Sequence, residues 1–480
     1  MVLLVAGCTS EVEVADPRNC FPEAARRWIH VDSAPGASAT PQADATQRAA
    51  AATVYIDRSG SMAGYLQGAE AEARPLHDLI GNLQYMLGRQ GALAQFRAFG
   101  ARISNILSPA ERSALMQTAY YSCAGRRGAD CDNGRTKLDA VFGEIANHDG
   151  MAVVVSDLWF DDPDTPTSAL SALAEPLTRI LASERGIALY GIPAPFDGAI
   201  YMPLPAAPIP FRGRHPLYVV VVGSDAQIAA FHEAWRNAPG LYLAAALRAN
   251  EIRRTVFTLR PALPTAAPAA PLQGNADPRV VETPVIDAFA GEAGDRLRLQ
   301  QFLIDGDAAM REQRPLPALA AWQGPEASAF VSDAVWQGNY ETRLRIWHRR
   351  SEACLAEDWE EETHDLASLW TGEGENPRRF RLDPELLAGE LGREGTFLIV
   401  PELVRVTLRS PNPASDWIRS WSFTLQNTHP QRPGIGGMPF FPTLYVAEMP
   451  RLLEDALAEA ARRRPPPPIF GFTFVAKIGA

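Results

Sequence analysis

The sequence predicts two domains of different class: a doubly wound α/β domain over residues 51–250 and a mostly β domain over residues 276–480. Three observations predict this. Between residues 51 and 192, short apolar runs alternate with segments of helical period, the pattern of a parallel sheet with crossover helices. Beyond about residue 275, segments alternating apolar and polar residues dominate, as in half-buried antiparallel strands. Between the two, residues 251–275 hold one strand and a Pro/Ala-rich linker. A chain of 480 residues is long enough for two or three separate cores, and 46% hydrophobic with 21% charged residues is a globular composition.

The chain opens Met1-Val2-Leu3-Leu4-Val5-Ala6-Gly7-Cys8-Thr9-Ser10. Leu4 to Cys8 resembles a bacterial lipobox, although no basic segment precedes it and its apolar part is short. The resemblance implies residues 1–8 as a signal remnant and lipidation of Cys8. It further implies a lipid-anchored protein of the bacterial cell envelope, on the periplasmic side, with Thr9 favouring the outer membrane. The alternative is a chance apolar start on a cytoplasmic protein. Residues 9–50 lack periodicity and read as a flexible tether, with Arg26 to His30 as a local contact to the first domain.

A buried strand is expected over 52–57 and an amphipathic helix over about 75–89, with Leu76, Leu79, Ile80, Leu83 and Leu87 on one face. Residues 95–99 and 103–106 read as a strand pair about Gly100. Ser108, Pro109 and Glu111 carry the N-cap, N1 and N3 signals of a helix. Thr136 begins a helix reaching about Asn147, followed by a strand at 151–156, a helix at 168–184 and a strand at 186–192. Residues 193–216 are Pro-rich and read as irregular, and 217–236 as the last strand and helix of the same sheet. In the second domain, strands are expected near 342–347, 379–382, 396–400, 404–408, 421–425 and 469–475, with a helix at 449–463. The whole reads as a sandwich.

The chemistry concentrates at Asp57-Arg58-Ser59-Gly60-Ser61, where an apolar run ends in an Asp followed by alternating hydroxyls. Oxygen-only donors on a strand-end loop suit a hard cation such as Mg²⁺. Thr136 at a helix start and Asp157 at the end of a second apolar run complete an ordered set. This set resembles the von Willebrand factor A-type domain, a Rossmann-like fold, with its metal-ion-dependent adhesion site, over roughly residues 51–200. The resemblance implies that Ser59, Ser61 and Thr136 touch the metal directly while Asp57 and Asp157 hold its water ligands. It implies Mg²⁺, with Mn²⁺ or Ca²⁺ as alternatives, and a protein ligand that supplies an Asp or Glu to the open coordination position.

A net charge of −11 argues against nucleic acid as partner. No apolar run is long enough to span a bilayer, which leaves a lipid anchor as the only membrane attachment expected. The five cysteines form no CxxC pair, which argues against structural zinc. Cys123 and Cys131 bracket a polar loop before Thr136 and would close it as a disulfide in an oxidising compartment. Asp161, Asp162 and Asp164 read as a solvated cap for the next helix rather than a second cation site. No HExxH, GxSxG or P-loop occurs. His232-Glu233 lacks a second His, Asp305-Gly306-Asp307 reads as a turn, and His364-Asp365 has no identifiable nucleophile. The tryptophans at 336, 347, 359, 370, 417 and 421 read as core and interface residues. The expected function is metal-dependent protein binding in adhesion or complex assembly, without enzymatic activity. The alternatives are an enzyme with its site in the β domain and a scaffold with a purely structural metal.

Overall fold

Six strands form the sheet that carries the candidate site: β1 (Ala51–Asp57), β2 (Leu93–Phe99), β3 (Ala152–Ser156), β4 (Gly186–Ile200), β5 (Ile209–Gly223) and β6 (Arg253–Phe257). The computed structural model describes residues 20–26, 29–32, 51–67, 74–122, 133, 136–159, 166–201, 208–238, 242–249, 251–259, 279–283, 296–298, 300–312, 318–321, 338–350, 356–362, 379–381, 395–408, 415–424, 441–464, 470–471 and 473–479. The strand order is β2-β1-β3-β5-β4-β6. β1 runs parallel to both β2 and β3, with Ile56 beside Val155. The remaining pairings, β3 with β5, β5 with β4 and β4 with β6, are antiparallel.

The sheet is therefore mixed, where a parallel one was expected. The cause lies in residues 193–200 and 209–216, part of the stretch expected as irregular. They extend β4 and β5 into a long hairpin in register from Gly186–Gly223 out to Ile200–Ile209. Residues 201–208 are too few for the crossover that a parallel connection needs. The prolines are tolerated because of where they fall. β4 is flanked by β6 only along Ile187–Gly191, and β5 by β3 only along Tyr218–Val222. Pro193, Pro195, Pro210 and Pro216 all lie outside those stretches, where the hairpin partner is the sole neighbour in the sheet. A further strand, β6, then closes the sheet at an edge the sequence had placed with the linker.

Helices cover both faces. On one, α1 (Pro75–Gly88) and α4 (Asp225–Arg236) bring Leu79, Leu83, Phe231 and Trp235 against Val54, Ile56, Val153 and Val221. On the other, α2 (Leu138–Ala146) and α3 (Pro166–Ala182) bring Val141, Phe142, Leu177 and Leu181 against Tyr55, Val154 and Val220. Burial on both faces explains why the strands read as continuous apolar runs. The expected cap at Ser108 is present, with Glu111 N–H donating to Ser108 Oγ and Ser108 N–H to Glu111 Oε2. Residues 103–107 fold back along β2, with Leu107 N–H donating to the Phe96 carbonyl, and so shield that edge.

The C-terminal region returns to this unit. Helix α5 (Glu448–Arg463) packs Met449, Leu453, Leu457 and Ala460 into the core that α3 closes. Residues 415–424 and 441–446 contribute Ile418, Trp421 and Val446 to that face, and Phe423, Phe441 and Leu444 to the other. A boundary at 276 thus assigns to the second domain a helix whose apolar face belongs to the first.

The second unit is a seven-stranded sheet among the described residues. Its path runs 359–362, 338–349, 395–408, 474–479, 300–305, 280–283, with 470–471 also on 395–408. The strand 300–305 is parallel to 474–479 and the other pairings are antiparallel. A separate two-stranded pair joins 318–321 to 379–381, so no second large sheet stacks into a sandwich among these residues. Residues expected as tether are part of this unit. Phe21, Ala25 and Ile29 pack on Trp347, Trp359, Leu398 and Val475, and His30–Asp32 pairs with Arg296–Arg298. Ile29 thus meets the second sheet and not the first domain, because its apolar partners lie there. Trp359 Nε1 donates to the Cys20 carbonyl at 2.9 Å, and Cys20 is disulfide-bonded.

Candidate metal centre

The ends of β1 and β3 lie side by side because the two strands are parallel neighbours. Asp57 closes β1 and is fully buried. Its Oδ1 accepts from Ser59 N–H at 2.8 Å, which turns the chain immediately after the strand. Ser59 Oγ and Ser61 Oγ are 3.1 Å apart. Thr136, just ahead of α2, donates weakly from Oγ1 to both Asp57 oxygens at 3.4 and 3.5 Å. Ser156, the last residue of β3, donates from Oγ to Asp57 Oδ2 at 2.7 Å.

Asp157 follows Ser156 and is also fully buried, with Oδ1 accepting from Trp159 N–H at 3.3 Å. Between them Leu158 adopts φ +50°, a left-handed conformation that costs energy for a side chain of this size and is concentrated at functional turns. Ser156 Oγ accepts from Leu158 N–H at 3.0 Å and holds that turn. The charges of Asp157 and Asp57 both bear on the buried Tyr65 hydroxyl, which donates to the Pro216 carbonyl at 2.6 Å.

The structure thus joins Asp57, Ser59, Ser61 and Thr136 in one hydrogen-bonded cluster and puts Asp157 at the adjacent strand end. Ser156 was not singled out in the sequence, although Ser-Asp at the end of an apolar run was the available signal. Cys8, Cys123, Cys131, the acidic cluster at 161–164 and His364-Asp365 lie outside the described residues.

Burial pushes the Asp57 carboxyl up to about 6, opposed by hydrogen bonds from Ser156, Ser59 and Thr136, and among the described residues no basic side chain acts on it. A buried carboxylate without a cation beside it is costly, and a divalent ion would relieve that cost. The donor set also fits. Three hydroxyls and two carboxylates are hard oxygen donors, matched to Mg²⁺ with its ligands at about 2.1 Å. Among the described residues no three His, Cys, Asp or Glu side chains converge. A site of this kind, with hydroxyls for three of its five donor residues, does not require that they do.

A hairpin wall stands against the loop. A Cβ added at Gly64 would meet the Phe196 ring at 2.4 Å, and one added at Gly198 would meet Gly64 Cα at 2.8 Å. Glycine at 64 therefore lets the β4 arm lie directly on the segment that follows the hydroxyls. Behind it, Tyr65, Trp159, Phe196 and Phe441 surround His215, whose Nδ1 bonds the Phe441 carbonyl at 2.9 Å.

The other sequence candidates are structural here. His232 is buried, stacked on Tyr190 and hydrogen-bonded to Arg254. Asp305 Oδ1 accepts from Ala308 N–H at 2.8 Å as a helix cap. Trp347, Trp359 and Trp421 are buried.

No family model matches this chain, and comparison with curated proteins and with solved structures yields no match. No helix of the described residues is long and apolar enough to cross a membrane.

Proposed function

We propose that the chain is a metal-dependent protein-binding protein. Its first unit is an A-type domain whose Asp57, Ser59, Ser61, Thr136 and Asp157 hold Mg²⁺ and capture an acidic residue of another protein. The observation that carries the reading is the fully buried Asp57 carboxylate, hydrogen-bonded only by neutral donors at the junction of two parallel strand ends. Ser59, Ser61 and Thr136 would ligate the ion without neutralising it, and the two carboxylates would balance its charge. When bound, Mg²⁺ supplies an electrophilic centre for an oxygen of the partner's carboxylate. The antiparallel β4–β5 hairpin departs from the expected parallel sheet, but it lies beyond the neighbouring strands β1 and β3 that carry the donors.

The cell-envelope location proposed for the protein is supported by the lipobox-like segment at Cys8 and by the disulfide at Cys20, a bond that persists in oxidising compartments.

The test is thermal unfolding with and without Mg²⁺ or Mn²⁺. Only the folded state assembles the site, so the ion should stabilise by about 2.7 kcal/mol at a hundredfold excess over Kd. Asp57→Ala should abolish that gain, and EDTA should abolish partner capture. Capture that survives both changes would leave the scaffold reading in its place.

A further inference from the structure

The hairpin brings one polar group to the rim of the site that none of the five expected ligands accounts for. Tyr201 follows the last residue of β4 and packs its ring edge on Gly60, the residue between Ser59 and Ser61. A Cβ added at Gly60 would stand 3.0 Å from the Tyr201 hydroxyl oxygen and 3.2 Å from its Cε2 and Cζ. The side chain is 41% exposed, and no hydrogen bond engages its hydroxyl among the described residues. Its position is fixed from behind, since the same arm is seated on Gly64 through Phe196 and Gly198.

Two basic residues neighbour the expected ligands in sequence. Arg58 lies between Asp57 and Ser59, with its Nε buried and without a hydrogen-bond partner. Lys137 follows Thr136 and is exposed. Neither enters an ion pair among the described residues.

We propose that Tyr201 is a recognition residue for the carboxylate that this site takes, its hydroxyl donating a hydrogen bond to one carboxylate oxygen. The inference rests on the metal-centred reading and deepens it. A carboxylate presents two oxygens, and a cation that takes one leaves the other in need of a donor. A phenol held over the loop, exposed and without another partner among the described residues, is such a donor. Hydrogen bonds to a charged acceptor are the stronger kind, and their loss weakens binding by about tenfold or more.

The experiment uses the full chain with two probes, Mn²⁺ alone and Mn²⁺ with N-acetylglutamate. Mn²⁺ binding is followed by electron paramagnetic resonance, and carboxylate binding by the loss of water-proton relaxation enhancement. Tyr201→Phe keeps the ring on Gly60. It should leave Mn²⁺ affinity within about twofold while weakening the carboxylate about tenfold. Tyr201→Ala should weaken the carboxylate at least as much. Equal carboxylate affinity in wild type and Tyr201→Phe overturns the proposal and leaves the metal reading standing, as does Mn²⁺ binding with no carboxylate binding. Absence of Mn²⁺ binding, or Mn²⁺ binding unaffected by Asp57→Ala, overturns the metal reading and this proposal with it.

Discussion

Ser156 Oγ donates a 2.7 Å hydrogen bond to Asp57 Oδ2 and ties the end of β3 to the end of β1. The same oxygen accepts from Leu158 N–H, so one buried hydroxyl holds both the carboxylate and the left-handed turn beside Asp157. Ser156→Ala removes a bond to a buried charged group and should destabilise the fold by about 1.5–3 kcal/mol. Because that bond holds the Asp57 carboxyl down, the variant should also titrate at higher pH than wild type. Urea unfolding and NMR titration of the Asp57 carboxyl measure the two effects. An unchanged titration would show that Ser156 does not position Asp57.

Gly64 and Phe196 are equally specific to each other. Gly64→Ala puts a methyl 2.4 Å from the Phe196 ring and should destabilise by about 1–3 kcal/mol through overpacking. Trimming the ring in a Gly64→Ala, Phe196→Leu double variant should recover part of that loss. A double-mutant cycle from denaturant midpoints checks it, and strictly additive effects would contradict the contact.

Stability should fall with acid through the buried histidines. Burial lowers His215 to about 4 and His232 to about 3, from an ordinary value near 6.5. Between those values the unfolded chain binds protons that the folded one refuses. The histidines' contribution to stability is therefore full above pH 6.5 and falls as pH drops toward 4, by roughly 3 kcal/mol for His215 alone, while the raised Asp57 carboxyl contributes in the opposite sense below about 6. Denaturant midpoints from pH 7.5 to 4 follow the decline, and His215→Gln should make it shallower. A slope identical in that variant would mean His215 is not buried as a neutral ring.

The α/β unit needs its distant C-terminal helix. Leu453 of α5 is buried against the face that α3 closes, so Leu453→Ala should cost about 2–5 kcal/mol. A fragment ending at residue 259 should aggregate or bind a hydrophobic dye, since it leaves that face of the core open. Cooperative unfolding of the fragment at wild-type stability would contradict the interleaved arrangement.

Much of the first unit was legible in the chain itself. Local signals sufficed for β1, β3, α1, α2 and the Ser108 cap, because each depends on side-chain period or on a cap within a few residues. The order of Asp57, the hydroxyls, Thr136 and Asp157 was legible for the same reason: strand ends and helix starts are local events. What tertiary structure alone decided was every pairing between segments far apart in sequence. Pro-rich residues 193–200 and 209–216 became the arms of a hairpin because their outer edges needed no donors, a property of neighbouring strands and not of the residues. Phe21, Ala25 and Ile29, like helix 448–463, found their apolar partners across most of the chain, in Trp359 and Leu398 for the first and in Leu177 and Leu181 for the second. The rim of the site was decided the same way. Tyr201 meets Gly60 only because the β4 arm lies against the loop that follows β1, and sequence period carries no record of that approach.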